Sequence, residues 1–195
     1  VGDSQQQRRK WDARHSSAEM ARSPCLVLEQ NAHLLPAKGR ALDLACGLGR
    51  NALFLARHGL DVDAWDFSPV AVKRLDAFAR EQGLAVRAEV RNVDTAPPPA
   101  GCYDVLVVSF FLQRALASHL CAALRSGGLL FYQTFTREQV DGSGPGNPDF
   151  RLGPNELLDL FKPLRVLVYR EEGRVGDTEQ GLRNEALLVA TKPEM

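Results

Sequence analysis

Two acids and two glycines carry the chemistry that is legible in this chain. Asp43 interrupts the apolar run Ala41–Ala45 near its carboxyl end, and a carboxylate in such surroundings needs a donor or a cation to offset its lost hydration. Gly47 and Gly49 follow at once, ahead of a helical pattern. Glycines at a strand-to-helix turn let the backbone bend sharply and let a ligand approach main-chain N–H groups. Asp66 closes the next apolar run. Two acids at the ends of adjacent parallel strands, flanking a glycine turn, form a crevice suited to a nucleoside.

The elements that must position these groups follow from periodicity and punctuation. Val1–Lys10 is polar and expected to fray, and Trp11–Arg22 has the spacing of a short helix. Ser23-Pro24 opens a second helix with Pro24 in its first turn, and Pro36–Gly39 ends it. Strands are expected at Arg40–Ala45, Leu60–Asp66, Leu84–Val90, Tyr103–Ser109 and Leu129–Phe135. Helices alternate with them at Asn51–His58, from Pro69 to Gly83 with Ser68 as N-cap, and at Arg114–Arg125. A loop rich in Gly, Pro and Asp, Gln139–Gly153, is long enough to be a lid over an acceptor. A short helix to Phe161 and two strands, Leu164–Arg170 and Asn184–Thr191, complete the chain as an antiparallel hairpin. The alternation predicts an α/β fold: a doubly wound, Rossmann-like sheet, mostly parallel, with an antiparallel C-terminal strand pair.

Composition narrows the function classes. The 195 residues suit one domain, and 24 basic side chains balance 24 acidic ones. A net charge of zero gives no ground for a nucleic acid or an anionic membrane surface as an obligatory partner. Cys25, Cys46, Cys102 and Cys121 form no C-x-x-C pair, and His15, His33, His58 and His119 are scattered, so no metal is expected. Reduced thiols and a polar start without a signal-peptide pattern predict a cytoplasmic protein. The strongest apolar run, Val105–Leu112, is too short to span a bilayer. The oligomeric state is open.

Gly47-x-Gly49-x-x-Ala52 fits the dinucleotide fingerprint, which makes a nicotinamide-dependent oxidoreductase one reading. Asp43 would repel a pyrophosphate, however, and little chain is left for a substrate domain. The run Asp43-x-Ala45-x-Gly47-x-Gly49 resembles motif I of the class I S-adenosylmethionine-dependent methyltransferases, [D/E]-x-G-x-G-x-G, with Ala45 replacing the first glycine. With Gly59-x-Asp-Val-x-Ala-Trp-Asp66, the stretch from Leu42 to Ala56 is similar to small bacterial tellurite-resistance-type methyltransferases. The likeness runs from about Arg40 to Thr191.

That resemblance implies S-adenosylmethionine as cofactor, with residues 40–195 as the methyltransferase domain and residues 1–39 as a helical cap. The turn from Ala45 through Gly47 to Gly49 would lie under the methionine part, Asp43 near its ammonium, and Arg50 and Asn51 close by. Asp66 would accept the ribose hydroxyls, Phe67 pack on the adenine, Asn92 and the Val93 N–H meet its edge, and Ser109 line the methyl-donor side. Trp11, Arg14 and His15 belong to a segment that folds over the cofactor in similar proteins. Each also has a structural reading: Asp66 as a cap, Asn92 as a turn residue, Cys46 as a small buried filler.

Methyl transfer to a soft anion needs little beyond approximation in a dry pocket, whereas an alcohol or amine needs a base. Tyr132, Thr134, Arg114 and His15 are the candidates near the strand ends, and Tyr132 and Phe135 serve equally as core aromatics. No obligatory base stands out, which favours a small, soft or already anionic acceptor such as a thiol or a chalcogen oxyanion. A non-catalytic ligand-binding domain of the same fold is the other class in play.

Overall fold

Apolar runs bounded by glycine and proline become the strands of one seven-stranded sheet. The computed structural model describes residues 2–19 and 23–194. β1 (Arg40–Leu44), β2 (Asp61–Asp66), β3 (Val86–Val90), β4 (Tyr103–Ser109) and β5 (Leu124–Phe135) are parallel, and β6 (Arg165–Glu171) and β7 (Glu185–Thr191) complete the sheet. The order is β3-β2-β1-β4-β5-β7-β6, with β7 antiparallel to both its neighbours. The predicted fold class and its antiparallel end are therefore present. The order reverses between β1 and β4, so their carboxyl ends open a crevice there.

Alternation along β4 shows why the sheet is buried on both faces. Val105 and Val107 enter a core with α2 (Leu26–Gln30), α3 (Arg50–Arg57) and α4 (Pro69–Glu81). Leu106 and Val108 enter a second core under α5 (Ala117–Ala123) and α6 (Glu156–Leu160). Ser68 caps α4 by accepting the Ala71 N–H at 3.2 Å, with Pro69 at the first helical position. Among the described residues no helix is long and apolar enough to cross a membrane.

Several boundaries differ from those expected. The polar N-terminus is helical from the outset, because α1 (Gly2–Ser17) rests on α4 rather than on an apolar face of its own. The stretch Met20–Arg22 of the expected first helix lies outside the described residues. The second helix starts at Leu26, beyond Pro24, since the main-chain N–H groups of Cys25 and Val27 are taken by Asn51 Oδ1 (2.9 Å) and Gln133 Oε1 (2.8 Å). The expected helix Arg114–Arg125 is a 3-10 turn, Arg114–Leu116, followed by α5, and β5 begins at Leu124 with an irregularity in its pairing.

The Gly-rich loop after β5 also departs from a freely swinging lid. Arg151, only 4% exposed, donates to the carbonyls of Thr136 (3.0 Å), Ser143 (2.5 Å) and Pro145 (2.7 Å). The loop is wrapped round one guanidinium, which the sequence pattern of Gly and Pro does not reveal.

Candidate functional site

Asp43 has no solvent exposure. Its Oδ2 accepts the Ala52 N–H at the start of α3 (3.0 Å), while Oδ1 has no protein partner among the described residues. Burial pushes the carboxyl up to about 7, against the opposing pull of the Ala52 N–H, the neighbouring Asn51 amide and the Arg50 charge. After β1 the chain turns through three left-handed residues: Ala45 (φ 56°), Gly47 (φ 54°) and Gly49 (φ 79°). A Cβ at Gly49 would collide with Leu75. Ala45 adopts the conformation that its motif assigns to glycine, and an alanine there is strained by about 1 kcal/mol. Ala45→Gly is expected to raise stability by about 0.5 kcal/mol, after the greater freedom of glycine in the unfolded chain is subtracted. Urea unfolding of the two proteins checks this, and a loss of stability would contradict it.

Asp66 faces the same turn from the end of β2. Its Oδ2 accepts the Gly47 N–H (2.7 Å) and its Oδ1 the Ser68 N–H (2.8 Å). It thus makes the capping contacts of the structural reading, and each oxygen keeps a lone pair for a further donor. Beside it lies a cleft of about 100 Å³ lined by Ala45, Trp65, Phe67, Asn92, Val93 and Phe111, among others. Asn92 Oδ1 accepts the Asp94 N–H (3.0 Å), so the expected acceptor for a base edge is engaged in a turn. The Arg91 guanidinium lies 3.8 Å from the centre of the Trp65 ring, whose buried Nε1 has no partner among the described residues.

α1 closes the crevice from above. Asp12 Oδ1 accepts the Ser68 hydroxyl (2.5 Å), and Arg74 binds the carbonyls of His15 and Ala18, the latter at 2.8 Å. These contacts set the His15 ring against the glycine turn, where a Cβ on Gly47 would meet its Cε1 at 3.3 Å. Burial lowers the pKa of His15, and the nearby Asp66 charge opposes that shift. Trp11 stacks on His15 with ring centres 5.8 Å apart, and the Arg14 guanidinium lies over Trp11. His15 rather than Trp11 therefore reaches the turn. Arg8 sits 5.7 Å from the Phe67 ring centre.

On the acceptor side the geometry is less open than expected. Asn51, 1% exposed, ties α3 to Cys25 and, through Nδ2, to Ser109 Oγ (2.9 Å), which makes both residues struts. The Arg50 guanidinium lies 5.1 Å from the Phe110 ring centre. Tyr132 is buried and donates to the Phe111 carbonyl (2.8 Å), and its hydroxyl is held protonated by burial. It is a core aromatic and no base. Thr134 is likewise buried. Arg114 is committed to Glu156 (2.5 and 3.0 Å) and to the carbonyls of Asp149 and Arg151, so its guanidinium is engaged by protein partners. Of the four candidates, Tyr132, Thr134, Arg114 and His15, it is His15 whose ring lies against the glycine turn.

Known proteins bear on this geometry. A family model described as a methyltransferase domain matches residues 41–128. A ubiquinone biosynthesis O-methyltransferase from Xanthomonas axonopodis is 32% identical over 136 residues, covering 66% of this chain and 57% of that protein. A protein named hemagglutinin 1 from Eikenella corrodens is 37% identical over 172 residues, covering 83% and 55%. The crystal structure of TehB from Haemophilus influenzae superposes with a TM-score of 0.68 at 25% identity, covering 85% of this chain and 61% of that one. Residues 41–128 are thus a methyltransferase domain of the class I S-adenosylmethionine-dependent type. S-adenosylmethionine is the cofactor of that family. The chain spans a little over half the length of these curated relatives.

Residues at the crevice that were not singled out from sequence include Asp12, Trp65, Arg91 and Gln113. Arg91 and Gln113 adjoin strand ends, a position that signals a site in an open α/β sheet. Asp12 carries no such signal, since its partner Ser68 is 56 residues away.

Proposed function

We propose that this chain binds S-adenosylmethionine in the crevice at the carboxyl ends of β1, β2 and β4 and transfers its methyl group to a small-molecule acceptor. The observation that carries the reading is the unpartnered, buried Oδ1 of Asp43 beneath a glycine turn whose other side is Asp66. An anionic acceptor atom suits an ammonium, and the remaining lone pairs of Asp66 suit a pair of ribose hydroxyls. The residues thus fit the cofactor, and the main-chain turn at Ala45, Gly47 and Gly49 would lie along it. Phe67 and Val93 would pack on the base. When bound, the cofactor supplies an activated methyl on a sulfonium.

Residues 40–195 serve as the methyltransferase domain and residues 1–39 as a cap whose His15 closes on the turn. With Tyr132 and Arg114 engaged elsewhere, the chain's own contribution is to orient the reactants and exclude water. That favours an acceptor that arrives as a soft anion, a thiolate or a chalcogen oxyanion. The cysteines are unpaired, as suits a reducing cytoplasm. Calorimetric titration with S-adenosylmethionine, S-adenosylhomocysteine and NAD tests the reading. Binding of the first two and none of NAD is expected. The reverse pattern would favour an oxidoreductase, and no binding at all a non-catalytic domain.

Asp43 gives this reading a pH signature. Its folded carboxyl titrates near 7 and an unfolded one near 4. Between these values the native state holds a proton that the unfolded chain releases, so this group lowers stability as pH rises from about 4 to about 7. Its affinity for a cation moves the other way. S-adenosylhomocysteine is expected to bind several-fold more tightly at pH 8 than at pH 6, and Asp43→Asn to abolish that dependence. Equal slopes in the two proteins would remove Asp43 from the ammonium site.

A further inference from the structure

We propose that the free edge of β3 is a self-pairing surface that joins two copies of this chain into one continuous sheet, a weak dimer related by a two-fold axis through Ala88. Nothing in the methyl-transfer reading is needed for this.

β3 is the outermost strand and pairs only with β2. The Ala85 carbonyl accepts the Val62 N–H, and the Arg91 N–H donates to the Asp66 carbonyl, at 2.9 and 2.8 Å. Alternation then turns the main chain of Ala85, Arg87, Glu89 and Arg91 towards β2, and that of Val86, Ala88 and Val90 away from the sheet. The outward groups are those an added strand needs. An antiparallel copy centred on Ala88 makes two bonds between the Ala88 residues. It adds one from each Val90 N–H to the Val86 carbonyl opposite, the Val86 N–H being held by Leu84.

The side chains agree with the same register. Val-Arg-Ala-Glu-Val reads as its own charge complement when reversed. Arg87 of one copy faces Glu89 of the other, twice, and Val86 faces Val90, which is 47% exposed. Arg87 is anchored through one nitrogen to Asp63 with its side chain 67% exposed, and Glu89 is 46% exposed, 3.9 Å from Arg91 of its own chain. A shift by one residue would turn inward-facing main-chain groups to the partner, and a shift by two would place Arg87 opposite Arg87. One register therefore satisfies both hydrogen bonding and charge. Five residues make a small interface, so the association is weak and concentration-dependent.

Sedimentation equilibrium up to about 1 mM chain is expected to show a monomer–dimer equilibrium. Glu89→Arg, which sets two arginines opposite each other, should weaken it about tenfold or more without changing the unfolding midpoint. Under mild oxidation Ala88→Cys should link to itself beyond the background of the unaltered chain. Val90→Cys alone should not, while a mixture of Val86→Cys and Val90→Cys chains should link to each other. A chain that stays monomeric across the range, a Glu89→Arg variant that associates as before, or self-linking at Val90 equal to that at Ala88 would each overturn the proposal.

Discussion

Asp66→Ala is expected to bind S-adenosylhomocysteine at least ~100-fold more weakly than the unaltered chain. Two hydroxyl donors on a carboxylate are worth about 1.5–3 kcal/mol each, which together is two decades or more in affinity. The same carboxylate also holds the Gly47 and Ser68 N–H groups, so its removal loosens the turn as well. Ser68→Ala separates the two effects. It removes the cap on α4 and the bond to Asp12 while leaving the Asp66 oxygens in place. If Ser68→Ala weakens the ligand as much as Asp66→Ala does, Asp66 acts only by shaping the turn. If Asp66→Ala loses folding stability but keeps its affinity, the ribose assignment fails.

A second large effect is expected far from the crevice. Asp63, 3% exposed, accepts from Arg40 Nε and Nη2 (3.0 and 2.7 Å), from Arg87 Nη1 (2.7 Å) and from the Tyr103 hydroxyl (3.1 Å). Burial, with the Asp63 charge beside it, keeps that hydroxyl protonated to well above its ordinary pKa. Asp63→Ala leaves a buried hydroxyl and two guanidinium groups without their acceptor. Breaking one side of such a buried cluster costs about 3–5 kcal/mol, and the partial exposure of both arginines puts the expected loss near the lower end, about 3 kcal/mol. Chemical denaturation measures it. Ligand affinity per folded molecule should be unchanged, because Asp63 does not line the crevice. A loss below about 1 kcal/mol would show that solvent already satisfies the cluster.

The site was legible where its residues are contiguous. Asp43, Ala45, Gly47 and Gly49 lie in one turn, and Asp66 ends the adjacent strand, so strand-turn-helix punctuation alone places them together. The parallel order and the antiparallel end follow equally from where glycine, proline and apolar runs fall. What stayed hidden depends on partners distant in sequence. Asn51, expected beside the cofactor, and Gln133, expected in a strand, each hold a main-chain N–H at the start of α2, from 26 and 106 residues away. Arg114 stands near a strand end and Arg151 in a loop rich in Gly and Pro, and neither position reveals the carbonyls that the side chain gathers. The first turns of α1 were read as frayed because their polar residues have no apolar stripe, and the helix docks through Asp12, His15 and Arg74 instead.

The strand order has a consequence for how the chain is made. β5 takes its second neighbour not from β6, which emerges next from the ribosome, but from β7, whose last residue is Thr191. Until that strand arrives, β5 presents an open row of main-chain groups and β6 has nothing to pair with. Residues 40–135 can condense during synthesis into a five-stranded half with a raw edge at β5 in addition to that of β3, and the nascent chain must keep the β5 edge covered while some fifty further residues are added. A pause in translation over the β6–β7 segment would therefore expose the sheet to pairing with a neighbouring chain at its most apolar margin.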